Sequence, residues 1–312
     1  MSQRVRVLAG VLHVGEPALE RAVASAETQH GADVSIEVIG NLPKWEAHRR
    51  LYRRFSEDRG AHDLLVKLDA DMELVEPRLF WSVGLLLRRH RRLDHVVLGV
   101  DDWLSGERIM GISLWRSGVQ WEAEPPDLFT DLNRSDARER FKLIDAGRPL
   151  VTHAVKPGVE QALRYGAHRA LKAARTRKAS RLARVEEFAR FVQQHPEPER
   201  RLALAAVELA FSDEGAGRRL VDGELELRAT EIERLQRRSE HLDAVYDAVV
   251  HHIRQLEESR PEDLSEAASG RRTMAKRLIR RAWASTRRRW GPRPLDSTRL
   301  TDEFLRSLNP YV

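Results

Sequence analysis

The chain has 312 residues, of which 41% are hydrophobic and 33% are charged, and it contains no cysteine. These values are typical of a globular protein with a highly charged surface, long enough for one large domain or two ordinary ones. The absence of cysteine excludes disulfides, thiol catalysis and thiolate metal sites. No apolar stretch approaches the roughly 18 residues that span a bilayer, and the first residues predict a strand rather than a signal peptide. We therefore expect a cytoplasmic protein, either soluble or peripheral at the inner face of the membrane.

The net charge of +6 is unevenly distributed along the chain. Residues 1–155 contain 22 Lys and Arg against 24 Asp and Glu, whereas residues 156–312 contain 32 against 24. The positive excess therefore lies entirely in the second half. Such a half can contact membrane phosphates, nucleic acid or an acidic partner, or it can simply be the solvated surface of an arginine-rich protein.

In the first half, short apolar β-branched segments alternate with amphipathic ones that begin near a proline. Strands are predicted at 5–12, 34–39, 64–68 and 95–100, and helices follow Pro17, Pro43 and Pro77. This order predicts an α/β fold with a Rossmann-type, mostly parallel sheet, whose ligands bind at the carboxyl ends of the strands. Farther along, the pattern predicts a strand at 109–115, a helix at 138–146 and a last strand at 149–152.

The second half has few strand signals and predicts an α-helical region. Helices are predicted at 159–178, 180–194, 199–211, 224–258 and 271–290, with punctuation at His195-Pro196 and at residues 215–217. We therefore expect two units, an α/β domain at 1–155 and a basic helical domain or extension at 156–312.

The strongest chemical signal is the Leu-Leu-Val-Lys-Leu-Asp-Ala-Asp segment at 64–71. Asp69 and Asp71 leave the end of a buried strand with one residue between them. Mg²⁺ and Mn²⁺ prefer oxygen ligands and often bridge one or two carboxylates to substrate phosphates. The pair predicts a metal and diphosphate site, although an acidic pair in so charged a chain can also be only a solvated turn.

This arrangement resembles the nucleotide-binding half of family 2 glycosyltransferases with the GT-A fold. The resemblance covers roughly residues 4–155 and rests on the strand and helix order leading into Lys67-Leu-Asp-Ala-Asp71. It implies a GT-A-like nucleotide-sugar-binding domain in which Asp69 and Asp71 hold Mn²⁺ or Mg²⁺ against a nucleoside diphosphate-sugar. The implied reaction is an inverting transfer of the sugar to a hydroxyl of an unknown acceptor, either a glycan or a lipid-linked molecule.

The resemblance also assigns residues around the donor nucleotide. The family usually has an acidic residue after the second strand, but this chain has Gly40-Asn41 there, so the base is left open. His48 and Arg49 lie where the family often places a cation near the diphosphate; alternatively, His48 packs in the core and Arg49 is only exposed. The expected donor-binding residues are His13, Glu16, Asn41, His48, Arg49 and Lys67.

His153 follows the last predicted strand of the first half, where the family segment ends in a histidine that can complete the metal's ligand set. A single histidine can equally be structural. The family's general base is an acid on a loop well beyond the metal pair, and Asp127 and Asp131 are the nearest candidates. The family's usual sequence around this base is absent here, and Asp131 can instead cap a helix.

The helical half contains two basic stretches without acids, at 164–184 and 271–290. The second includes Trp283 and Trp290, so it can make a peripheral contact with an anionic membrane, or it can pack on the catalytic domain with its arginines outward. The chain has no zinc-finger or RNP-like signature, so nucleic acid is not an expected partner. The alternative to an active enzyme is a catalytically inactive GT-A-like module that binds a nucleotide or a partner. A third alternative is a membrane- or nucleic-acid-binding helical protein on an α/β scaffold.

Overall fold

A computed structural model describes residues 4–58, 60–121, 136–144, 146–176, 178–222, 229–259 and 295–309. Within these residues the chain forms an α/β fold with one sheet and a set of packed helices. The strands are β1 (Val5–His13), β2 (Ala32–Gly40), β3 (Leu64–Asp69), β4 (Met72–Leu74), β5 (His95–Asp102), β6 (Arg108–Arg116), β7 (Arg140–Leu143) and β8 (Val151–His153). The helices are α1 (Leu19–Glu27), α2 (Lys44–Glu57), α3 (Leu79–Arg89), α4 (Val159–Thr176), α5 (Ala179–Gln194), α6 (Pro198–Ser212), α7 (Glu214–Asp222), α8 (Ala229–Glu240), α9 (Leu242–Glu258) and α10 (Ser297–Leu308).

The sheet is mixed, so the expectation of a mostly parallel sheet is wrong. Its strand order is β2-β1-β3-β6-β5-β8-β4, and β7 pairs with β5. β1 is parallel to β2 and β3, and β5 is parallel to β7 and β8, but β6 runs antiparallel between β3 and β5 and β4 runs antiparallel to β8. The physical reason lies in short connections: residues 103–107 are all that join β5 to β6, whereas a parallel crossover needs about a dozen residues or more.

Two other elements of the first half differ from the prediction. The segment predicted as a helix at 138–146 contains β7, in which Phe141 and Leu143 are buried and the two alternate residues are exposed. That period of two is the burial pattern of a strand. β4 was not predicted, because three residues immediately after the Asp-x-Asp segment are too few to show a period.

The helical region also departs from its predicted boundaries. Gly215 and Gly217, where the sequence predicts a break between helices, lie inside α7. In the long segment predicted as one helix at 224–258, α8 and α9 are separated at His241, whose backbone is not helical. The predicted basic helix at 271–290 lies outside the described residues, so its membrane contact stays a prediction.

Three apolar clusters hold these layers together. One face of the sheet packs against α1, α3 and α10, and the other face packs against α2. The third cluster is the shared core of helices α4 through α9, and it includes Leu104 and Ala154 from loops beside the sheet. α10, which was not predicted, buries Leu300, Phe304 and Leu308 in the α/β core. The last described helix therefore packs on α3 and the sheet of the first half rather than on helices α4 through α9.

Among the described helices, none is both long enough and apolar enough to cross a membrane.

Candidate functional site

The pairing of the strands brings Asp71 and His153 together. Asp69 ends β3, and the chain then turns so that the carbonyl of Asp71 accepts a hydrogen bond from the backbone N–H of Ala154 at 2.9 Å. β8 lies between β4 and β5, which places His153 opposite Met72 on one side and opposite Asp102 on the other. Three strand ends therefore deliver an imidazole and two carboxylates to one place at the edge of the sheet.

The imidazole of His153 lies between the two carboxylates. Its Nε2 is 3.0 Å from Oδ2 of Asp71, and its Nδ1 is 2.7 Å from Oδ1 of Asp102. Burial opposes a charge on this ring, but the Asp71 and Asp102 carboxylates outweigh it and raise the pKa of His153 well above its usual 6.5. The two carboxylates therefore favour the protonated ring, and a cation that binds at Nε2 must compete with a proton.

Asp102 is a member of this site that the sequence did not single out. Its side chain is fully buried. It accepts hydrogen bonds from the hydroxyls of Ser105 and Tyr165 and from the backbone N–H of Ser105. Burial alone would raise the pKa of Asp102, but the hydrogen bonds and the charge of His153 outweigh it and lower the pKa. Asp102 is therefore an ionised, well-satisfied carboxylate beneath the imidazole.

Helix α4 contributes two side chains one turn apart. Nε2 of Gln161 donates to Oδ2 of Asp71 at 2.8 Å, and the hydroxyl of Tyr165 donates to Asp102. Burial acts to raise the pKa of Asp71, but His153 and Gln161 lower it overall. The site is thus closed on one side by the first helix of the helical region.

Other acidic groups lie near the pair. Oδ1 of Asp69 accepts a hydrogen bond from Nζ of Lys67 at 2.8 Å. Burial raises the pKa of Glu16, and the negative charges of Asp71 and Asp69 raise it further, even though Glu16 accepts a hydrogen bond from the N–H of Val14. Glu16 therefore lies near enough to Asp69 and Asp71 to be affected by their negative charges.

The residues assigned to the nucleotide occupy the neighbouring strand ends. His13 and Gly40 are paired residues of β1 and β2, and a Cβ at Gly40 would lie 1.7 Å from Nε2 of His13. The ring of His13 therefore covers a position that only glycine leaves open. Asn41 follows in the left-handed conformation with a φ of 58°. His13 and Asn41 therefore lie at the adjoining ends of β1 and β2, and their contact with a base stays a prediction.

The two predicted residues of α2 make aromatic contacts. The ring of His48 is 6.0 Å from that of Tyr52, and the guanidinium of Arg49 lies 5.0 Å from the centre of the Trp45 ring. Their role at the diphosphate stays a prediction. The candidate bases Asp127 and Asp131 lie outside the described residues, so their role stays a prediction.

The donor set is suitable for a hard cation but is incomplete by itself. In the part of the chain that the structure describes, no group of three or more His, Asp and Glu side chains is arranged to hold a metal ion. Asp71 and His153 supply an oxygen and a nitrogen that face each other, with Asp69 nearby on the same turn. Mg²⁺ characteristically keeps several waters and binds through one or two carboxylates plus substrate phosphates. Binding of a cation held jointly by these side chains and a diphosphate stays a prediction.

Comparison with known proteins assigns no family to the chain. No protein family and no curated protein matches it. The functional assignment therefore depends on the residues of the site.

Proposed function

We propose that the protein is a metal-dependent glycosyltransferase that moves a sugar from a nucleoside diphosphate-sugar to a hydroxyl acceptor. The observation that supports this most is the contact between Asp71 and His153, beside Asp69, at the carboxyl ends of the strands. These residues are far apart in the chain, and the sheet brings them together at the edge where α/β folds bind ligands. Their chemistry suits Mn²⁺ or Mg²⁺ and a diphosphate.

Each residue has a role in this proposal. Asp71 and His153 would hold the cation, with Asp69 beside them. When bound, the cation neutralises the charge that develops on the departing diphosphate. Lys67, now paired with Asp69, supplies a second positive charge on the same side, while His13 and Asn41 lie against the nucleoside.

One observation favours the alternative of an inactive module. Both carboxylates of the motif are already satisfied within the protein, Asp69 by Lys67 and Asp71 by His153 and Gln161. A self-neutralised cluster of this kind can stabilise the fold without binding any metal. In that case the α/β layer would bind a nucleotide or a partner without catalysing transfer.

Turnover of donor separates these functions. Uridine, guanosine, adenosine and thymidine diphosphate-sugars are incubated with the protein and Mn²⁺, and release of the nucleoside diphosphate is measured with and without a chelator. We expect metal-dependent release from at least one donor, and its loss in Asp71→Asn. Asp101→Asn is the matched control, because Asp101 lies at the end of β5 but pairs with Arg108. Binding of a donor without release would support the inactive module.

A further inference from the structure

The site contains a buried chain of polar contacts that reaches from α4 to the turn between β3 and β4. The hydroxyl of Tyr165 donates to Asp102, Asp102 contacts Nδ1 of His153, and Nε2 of His153 faces Asp71. The side chains of Asp71, His153 and Asp102 are 15%, 14% and 0% exposed, respectively. Buried polar groups are costly unless they are satisfied, so this arrangement constrains the orientation of each member.

Asp102 determines which nitrogen of His153 is available. A neutral imidazole carries its proton on one nitrogen and its lone pair on the other. The carboxylate of Asp102, which accepts from the hydroxyls of Ser105 and Tyr165, contacts Nδ1 and keeps a proton there. The proton that a cation must replace is then the one on Nε2, beside Asp71. Carboxylates that accept from a metal-binding histidine fix the ring in this way and strengthen it as a ligand.

Tyr165 in turn fixes Asp102. Its hydroxyl and that of Ser105 contact Oδ2, which leaves Oδ1 for His153. The tyrosine is itself held on its other side, because the guanidinium of Arg169 lies 5.3 Å from the ring centre and pairs with Glu107 at 2.8 Å. Loop 103–107 and α4 thereby support the orientation of the imidazole from outside the sheet.

We propose that Asp102 and Tyr165 are positioning residues that hold Nε2 of His153 toward a divalent cation bound at Asp71. In this proposal helix α4, from the helical half of the chain, contributes a side chain to the cation site. The inference rests on the proposed function, because it requires that the Asp71 and His153 pair binds a cation. A purely structural network would contribute to folding but would leave cation affinity unchanged.

The test measures the dissociation constant for Mn²⁺ by the electron paramagnetic resonance signal of free Mn²⁺, with uridine or guanosine diphosphate present. The variants are Asp102→Asn, which keeps the shape but adds an N–H donor, and Tyr165→Phe, which removes one hydroxyl. We expect affinity to weaken about 10- to 100-fold in Asp102→Asn and about fivefold in Tyr165→Phe. Tyr246→Phe, a partly buried tyrosine of α9, is the control and should bind like the parent.

Thermal unfolding of each variant separates positioning from folding. Weaker Mn²⁺ binding in a variant that unfolds at the parent's temperature supports the proposal. Equal affinity of Tyr165→Phe and the parent would overturn it, and this holds even if Asp102→Asn fails to fold. If the parent itself binds no Mn²⁺ with any nucleoside diphosphate, the proposed function fails, and the positioning role fails with it.

Discussion

Replacing His95 with phenylalanine should change the pH dependence of stability. His95 begins β5 and is 2% exposed, and its ring stacks on Trp115 with 4.7 Å between ring centres. Its Nε2 has no hydrogen-bond partner among the described residues. Burial, together with the charges of Arg140 and Lys142, lowers the pKa of His95 to about 3. The folded protein therefore keeps this imidazole neutral at every pH near neutrality.

The sign and size of the effect follow from linkage. In the unfolded chain His95 takes up a proton below about pH 6.5, whereas in the folded protein it does not until about pH 3. Its contribution to stability is therefore complete above pH 6.5 and is lost progressively as the pH falls toward 3. One pH unit is worth about 1.4 kcal/mol, so at pH 5 the loss is about 2 kcal/mol relative to pH 8. Phenylalanine keeps an aromatic ring against Trp115 but cannot be protonated.

The assay is urea unfolding followed by circular dichroism at pH 8, 6.5 and 5. We expect the free energy of unfolding of the parent to fall by about 2 kcal/mol more than that of His95→Phe between pH 8 and 5. His251→Gln, at an exposed position of α9, should keep the pH dependence of the parent. If His95→Phe and the parent lose stability in parallel, His95 is protonated in the folded state and the reasoning is wrong.

Two further predictions concern packing and ion pairs. Gly166→Ala should destabilise the protein by about 2 kcal/mol or more in thermal unfolding, because the new Cβ would lie 1.9 Å from the carbonyl oxygen of Ala203 in α6. In the control Gly215→Ala the new Cβ meets only side-chain atoms, so its stability should change little. Equal losses of stability in the two variants would contradict this prediction. Burial would raise the pKa of Asp94, but its hydrogen bonds with Arg138 and Arg116 lower it, so its stabilisation is present above about pH 3.8 and is lost in acid. Asp94→Asn should therefore be less stable at pH 7 and lose less stability between pH 5 and 2, and an unchanged acid dependence would refute the ion-pair account.

The strands of the first half could be predicted because each is a short segment with apolar, often β-branched residues, mostly buried in β1, β3 and β5 and only partly in β2. The predictions at 5–12, 34–39, 64–68, 95–100 and 109–115 are confirmed as β1, β2, β3, β5 and β6. The order of the strands in the sheet could not be predicted in the same way, because strand periodicity does not reveal which neighbour a strand pairs with. The insertion of β6 between β3 and β5 depends on that pairing.

The same limit explains what was missed in the site. Asp71 and His153 were chosen from motif and resemblance, and the structure brings them together. Asp102 also follows a predicted strand, in Asp101-Asp102, so a search for every acid at a strand end would have found it. Tyr165 gave no such signal, since its role depends on how α4 packs against the sheet. Sequence periodicity specifies the buried face of a helix but not the side chain that this face meets.

The most direct test of the central claim is the binding of Mn²⁺ and a nucleoside diphosphate by the site. Isothermal titration of Mn²⁺ into the parent and into Asp71→Asn, each with uridine or guanosine diphosphate present, measures this binding without any acceptor. We predict that the parent binds one Mn²⁺ together with the diphosphate and that Asp71→Asn, while still folded, does not. Equal binding by both proteins, or no binding by the parent with either nucleotide, would contradict the account.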